Sequence, residues 1–185
     1  AKMTLKEKIG QMTQLNIDVV SKGKVYNLIE PHQLDSIKLK KAIIEYGVGS
    51  ILNAGSHAYT LDHWQELVKS IQDMAVNETR LKIPVLYGID AIHGAGYLKG
   101  GTLFPQPLAQ AATFNPELVR KGSQVTAYET RACGIPWNFS PVLDVARQAL
   151  WSRVFETYGE DVYLCKEMGL ASIDGYQQLT KADSL

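Results

Sequence analysis

The segment Gly88-Ile89-Asp90-Ala91-Ile92-His93-Gly94 closes an apolar run with an ionisable residue and passes into a loop with glycines at 94, 96, 100 and 101. A carboxylate there can accept from two neighbouring hydroxyls at once, and glycines let a backbone approach a ligand closely. Read as chemistry, Asp90 is an acceptor for a hydroxyl-bearing ligand. Read as structure, Asp90 caps the following loop and His93 satisfies a main-chain carbonyl. Spacing alone does not choose between them.

A second cluster runs from Ala146 to Asp161, where Arg147, Trp151, Arg153, Glu156, Glu160 and Asp161 are interleaved. A guanidinium presents a rigid fork of donors to hydroxyls or a carboxylate, and an indole face suits a sugar ring. The plainer alternative is an Arg–Glu network that pins a long loop.

Other chemical templates fail. The glycines from 94 to 100 are spaced too widely for the dinucleotide fingerprint, and Pro105 and Pro107 are expected to keep a helix from opening directly behind them. There is no Walker lysine, HExxH or G-x-S-x-G. His32, His57, His63 and His93 lack the i,i+4 pairing of a helical zinc site, so neither metal nor cofactor is expected. Cys133 and Cys165 form no CxxC and define no disulfide framework.

The elements that would position these residues follow from periodicity and caps. Thr4-Leu-Lys-Glu7 reads as a capping box opening a helix over 4–14, with Leu5, Ile9 and Met12 on one face. Residues 21–33 read as a loop, Leu34 to Tyr46 as a helix stopped by Gly47, and Val48 to Asn53 as a strand. From Thr60, a buried helical stripe is expected at Leu61, Trp64, Leu67, Val68, Ile71 and Met74. Pro84 to Asp90 has the unbroken apolar character of a parallel strand covered on both faces. Asn115-Pro116-Glu117 opens a helix to about Ala132, a third strand is expected within Asn138 to Asp144, and a helix over 160–175 has Leu164, Met168 and Leu170 inward. Helices interleaved with apolar strands predict an α/β fold with a parallel sheet, as a barrel or an open doubly wound form. Both bind ligands at the carboxyl ends of strands, here expected at Asn53, Asp90 and Asp144.

The 185 residues carry 19 basic against 19 acidic side chains, which removes the long-range field of a nucleic-acid binder. No run approaches the roughly 18 apolar residues of a membrane span, and residues 1–10 lack a signal-peptide core. No nucleic-acid or membrane partner is expected. Localisation stays open, with the periplasm or the extracellular space favoured if a signal was removed before Ala1.

The motifs Met3-Thr-Leu-Lys-Glu-Lys-Ile-Gly-Gln-Met12, Gly88-Ile-Asp-Ala-Ile-His-Gly94, Phe104-Pro105, Arg153-Val-Phe-Glu-Thr-Tyr-Gly-Glu-Asp161 and Gly175-Tyr-Gln177, in that order, resemble glycoside hydrolase family 3, the β-glucosidase and β-xylosidase family. One departure is Arg147-Gln-Ala-Leu-Trp-Ser-Arg153, where the family has Arg-Asp-Pro-Arg-Trp-Gly-Arg; the last Arg is retained. The resemblance implies roughly the N-terminal half of a TIM-like (β/α) barrel, with residues 1–185 one incomplete domain where a whole barrel takes about 250. It also implies Asp90 and Arg153 as substrate-binding contacts to a terminal β-linked sugar. Catalysis would be retaining and use two carboxylates. The nucleophilic Asp, the acid/base and a sugar-binding Lys-His pair of the family are not found here, so no catalytic residue is identified in this chain. Expected partners are a glycoside and either the missing barrel half or a second copy. The alternatives are a non-catalytic sugar-binding or assembly fragment, which hydrolysis by the 185-residue chain alone would contradict, Asp144 then being the candidate for the second carboxylate such hydrolysis requires, and an unrelated flavodoxin-like domain that would need a cofactor.

Overall fold

The structure is a computed structural model describing residues 2–55 and 57–177. It divides into two compact units, one formed by the residues up to Ile89 with Cys133–Trp137, the other by Asp90–Ala132 and the residues from Asn138.

In the first unit, helix α1 (Leu5–Gln11) opens on the capping box read from the sequence. The Thr4 hydroxyl accepts the Glu7 N–H at 3.2 Å, and the Thr4 N–H donates to the Glu7 carboxylate at 2.7 Å. The helix stops earlier than expected, because Gln14–Asn16 is strand β1, paired in parallel with β4 (Ser50–Leu52). A ladder to a distant segment outweighs the local helical pattern there. The apolar face of α1 is present but not buried, since Leu5, Ile9 and Met12 are all exposed. Leu5 and Ile9 line a largely apolar groove of about 740 Å³ with Leu15, Val19 and Val48, and Lys6, Lys38 and Lys41 also line it.

The expected loop over 21–33 contains a small antiparallel pair, β2 (Gly23–Lys24) and β3 (Asn27–Leu28). Helix α2 (Ser36–Lys40) is capped by Asp35, whose carboxylate accepts from the N–H groups of Ile37 and Lys38, and it continues as a π-turn over Lys41–Glu45. Helix α3 (Leu61–Glu78) is capped by Thr60 and buries Trp64, Leu67, Val68, Ile71 and Met74, as the period predicts. Leu61, in the first turn, is exposed instead. Strand β5 (Leu86–Ile89) pairs in parallel with β4, and consecutive residues Tyr87, Gly88 and Ile89 are buried, so both of its faces are covered.

A polar cluster lies inside this unit. The ring of buried His32 stacks on Tyr59 at 4.6 Å, with its Nε2 2.8 Å from the Ser21 hydroxyl and its Nδ1 2.9 Å from Nε2 of His63. Burial, helped by His63, holds the His32 imidazole down at about 4.

The second unit has α4 (Pro107–Ala111), α5 (Pro116–Ala132) and α6 (Val162–Gln177) around Ala111, Val119, Tyr158, Cys165 and Met168. Helix α4 does not open directly behind the glycines, as expected, and begins only at Pro107. Pro107 starts it, at a position whose N–H would have no intrahelical partner anyway. α5 keeps its predicted bounds. It is opened by Asn115, whose side chain accepts from the Glu117 N–H at 3.1 Å, and is followed by Gly134 at φ 81°. α5 and α6 share a buried Ser123–Ser172 hydroxyl contact of 3.0 Å. Leu170, expected inward on α6, is exposed.

The third strand is also shorter than expected and begins earlier. β6 is Trp137–Asn138, and the rest of the expected span holds only an isolated bridge, Val142 to Thr157. Pro141 has no N–H to give to a ladder. Asp144 therefore does not end a strand, whereas Asn53 and Asp90 directly follow β4 and β5. The main sheet has the order β1-β4-β5-β6. Its strands follow chain order with no reversal, the progression of a (β/α) barrel, whereas a doubly wound sheet switches direction at its ligand site. The fold is α/β with the parallel sheet of a TIM-like barrel half.

Candidate functional site

The second unit holds a cleft of about 530 Å³ lined by Asp90, Ile92, His93, Tyr97, Gln106, Arg153, Phe155 and Glu156. The two residues singled out from sequence, Asp90 and Arg153, thus line one cavity, of a size ordinary for a small-molecule site.

Asp90 is fixed in place through its neighbour Ala91. The Ala91 N–H donates to Asn138 Oδ1 at 2.9 Å, and Asn138 Nδ2 donates back to the Ala91 carbonyl at 3.1 Å, so one side chain clamps the main chain beside the carboxylate. Past His93 the loop doubles back. The Phe104 N–H donates to the His93 carbonyl at 2.8 Å, and His93 Nδ1 donates to the Phe104 carbonyl at 2.8 Å. The second bond places a proton on Nδ1. At the fold of this loop Gly94 has φ 111°, and a Cβ there would stand 2.1 Å from the Thr102 carbonyl oxygen. Glu129 of α5 holds the far arm, accepting from the Thr102 N–H at 2.9 Å and the Thr102 hydroxyl at 2.7 Å.

Arg153 stands at the start of a single 3-10 turn, Val154–Glu156. Its Nε and Nη2 both donate to Glu156 Oε2, at 2.9 and 2.5 Å. That pairing raises the guanidinium above its ordinary range, and the charges of Asp90 and Asp144 add to it. This arginine is thus paired with Glu156 and at the same time forms part of the cleft wall. Burial, followed by the Asp90 charge, pushes the Tyr97 phenol up, so it enters the cleft as a neutral hydroxyl.

Arg147 and Trp151, candidates for sugar contacts, do not line the cleft; Phe155 and Tyr97 supply aromatic surface there. Asp161 instead accepts the Leu164 N–H at the start of α6. Asn138 and Glu129 escaped sequence reading because nothing local distinguishes an amide or carboxylate whose partner lies far along the chain, and Gln106 because its burial depends on the fold. Only the placement of Gln106 directly behind Phe104-Pro105 gave a signal. Among the described residues no group of three His, Cys, Asp or Glu side chains could hold a metal ion, and no helix is long and apolar enough to cross a membrane.

The cleft combines a carboxylate, a guanidinium and a neutral phenol over an aromatic edge, which suits a polyhydroxyl ligand. The profile of the "Glycosyl hydrolase family 3 N terminal domain" matches residues 4–184. The chain belongs to glycoside hydrolase family 3. It is 40% identical to a lysosomal beta glucosidase of Dictyostelium discoideum, an alignment covering 96% of this chain and 22% of that protein. It is 30% identical to a periplasmic beta-glucosidase of Salmonella typhimurium, over 98% of this chain and 20% of the relative. This family 3 chain therefore spans about a fifth of the length of these curated relatives. Among solved structures, the exo-1,3/1,4-beta-glucanase of a Pseudoalteromonas species matches with a TM-score of 0.79 at 29% identity, over 98% of this chain and 22% of that one. The beta-glucosidase from Listeria innocua in complex with isofagomine matches at 0.72 and 37%, over 96% and 22%.

Proposed function

We propose that this chain supplies part of the sugar-binding cleft of a β-glycosidase that removes terminal, non-reducing β-linked sugars. The observation that carries the reading is that Asp90 and Arg153, from separate motifs, line one polar cavity. Asp90 accepts from two sugar hydroxyls. Arg153 donates from Nη1, because its bonds to Glu156 engage only Nε and Nη2. As the anomeric centre approaches an oxocarbenium-like state the ring flattens, and contacts that tighten with that change lower the barrier.

The mechanism we propose is retaining. One carboxylate attacks the anomeric carbon, displacing the aglycone oxygen as an acid protonates it, and water then releases the sugar. Neither role is assigned to a residue of this chain. We place residues 1–185 as the N-terminal segment of the catalytic barrel domain. Supporting this, the strand order is barrel-like, and the apolar groove beside α1 is a surface that further barrel units would cover.

The test uses the longest polypeptide that carries this chain, assayed with 4-nitrophenyl β-glucoside and β-xyloside. Asp90→Ala is expected to lower kcat/KM by at least about a hundredfold, two charge-assisted hydrogen bonds being lost at about 1.5–3 kcal/mol each. An unchanged kcat/KM would reject the assignment, and sugar binding without turnover by the wild type would favour a non-catalytic module.

A further inference from the structure

Gln106 lines the same cleft, and its Oε1 is buried with no hydrogen-bond partner among the described residues. The side chain does not serve the neighbouring helix: Gln106 is the N-cap of α4 yet makes no side-chain capping bond, and only its main-chain carbonyl is engaged, by the N–H groups of Ala109 and Gln110. Its mounting is stiff. Pro105 and Pro107 flank it, its backbone sits at φ −58°, ψ 151° as a residue before proline prefers, and Phe104, two residues before it, is tied to His93 through both main-chain groups. The backbone is stiff but the amide can turn about its own side-chain torsions, so a dry, unpaired oxygen that is costly where it stands is relieved when a ligand in the cleft brings it a donor.

We propose that Gln106 is a specificity-determining residue of this cleft, its Oε1 accepting a hydrogen bond from one ring hydroxyl of the bound sugar. This rests on the reading of the cleft as a sugar site and adds a further acceptor beside Asp90. The cleft then selects for a sugar whose hydroxyl at that position is free, because an analogue lacking it leaves the amide oxygen unpaired.

The experiment compares wild type with Gln106→Leu, in the longest polypeptide carrying the chain, on 4-nitrophenyl β-glucosides lacking the 2-, 3-, 4- or 6-hydroxyl in turn. Gln106→Leu is expected to lower kcat/KM about tenfold on the parent glucoside, the scale of one neutral hydrogen bond lost from a buried site. On a single deoxy analogue the two proteins should be equal, which names the hydroxyl. The Tm should be unchanged or higher, since an unpaired buried amide is replaced by a methyl fork of similar size. Equal kcat/KM on the parent, the same loss on every analogue, or a Tm that falls with activity each overturns the proposal while leaving the cleft assignment standing. A wild type inactive on the whole panel, or an Asp90→Ala variant as active as wild type, sinks the sugar-site reading itself and this proposal with it.

Discussion

Asn138 grips both main-chain polar groups of Ala91, its Oδ1 accepting the N–H at 2.9 Å and its Nδ2 donating to the carbonyl at 3.1 Å. An amide used this way replaces two rungs of a ladder and fixes the direction of the peptide next to Asp90. Ala91 is fully buried, so nothing else in the solvent can take over those groups. Asn138→Leu is expected to cost about 1–3 kcal/mol of stability per unpaired group, read by urea unfolding. Asn138→Asp keeps the acceptor but turns the donor into a carboxylate oxygen facing the Ala91 carbonyl, so it too should lose stability. If both substitutions leave stability and kcat/KM unchanged, the clamp has no role.

Arg153 is half-exposed and paired with Glu156. Exposed ion pairs contribute about 1 kcal/mol or less, so Arg153→Lys should shift the Tm little. A lysine cannot reproduce the fork that holds Glu156 and still presents a second edge to a sugar. Its kcat/KM on a nitrophenyl glycoside should drop about tenfold or more. Matching losses in Tm and activity would instead mark the residue as a loop pin alone.

Gly94 leaves no room for a side chain at the fold of the cleft loop. Gly94→Ala would set a methyl 2.1 Å from the Thr102 carbonyl oxygen, at φ 111°, where L-residues are strained. We expect at least about 1–3 kcal/mol of destabilisation and faster amide exchange over 93–104. A crystal structure of the variant with an unmoved loop would contradict this.

The His32 cluster predicts an acid-side stability loss. The unfolded imidazole titrates at 6.5 and the folded one at about 4, so the unfolded chain binds more protons between those values. Stability is then full above 6.5 and falls as pH drops toward 4. His63 and the carboxylates of Asp18 and Glu30 act on the same ring, His63 opposing its protonation and the acids favouring it. The His32→Gln variant should show a flatter stability profile across that window. Proton NMR showing a His32 midpoint near 6.5 would rule the mechanism out.

Much of the scaffold is legible without coordinates because its signals are local. The Thr4–Glu7 box, the Asn115-Pro116 helix start and the stripe from Trp64 to Met74 are decided by residues within a turn or two of one another. The same holds for the apolar run into Asp90, and motif order points to the family. Tertiary structure decided what depends on partners distant in the chain. Gln14–Asn16 is a strand only because Ser50–Leu52 lies beside it, and the apolar face of α1 stays exposed because no described segment covers it. Asn138 matters only because Ala91 is its neighbour, and Gln106 only because its amide oxygen ends in a dry place. Asp90 and Arg153 were each visible as chemistry, but that they line one cleft required the chain to fold. Periodicity and caps report on energies within a segment, whereas pairing, burial and unmet hydrogen bonds are set by which segments meet.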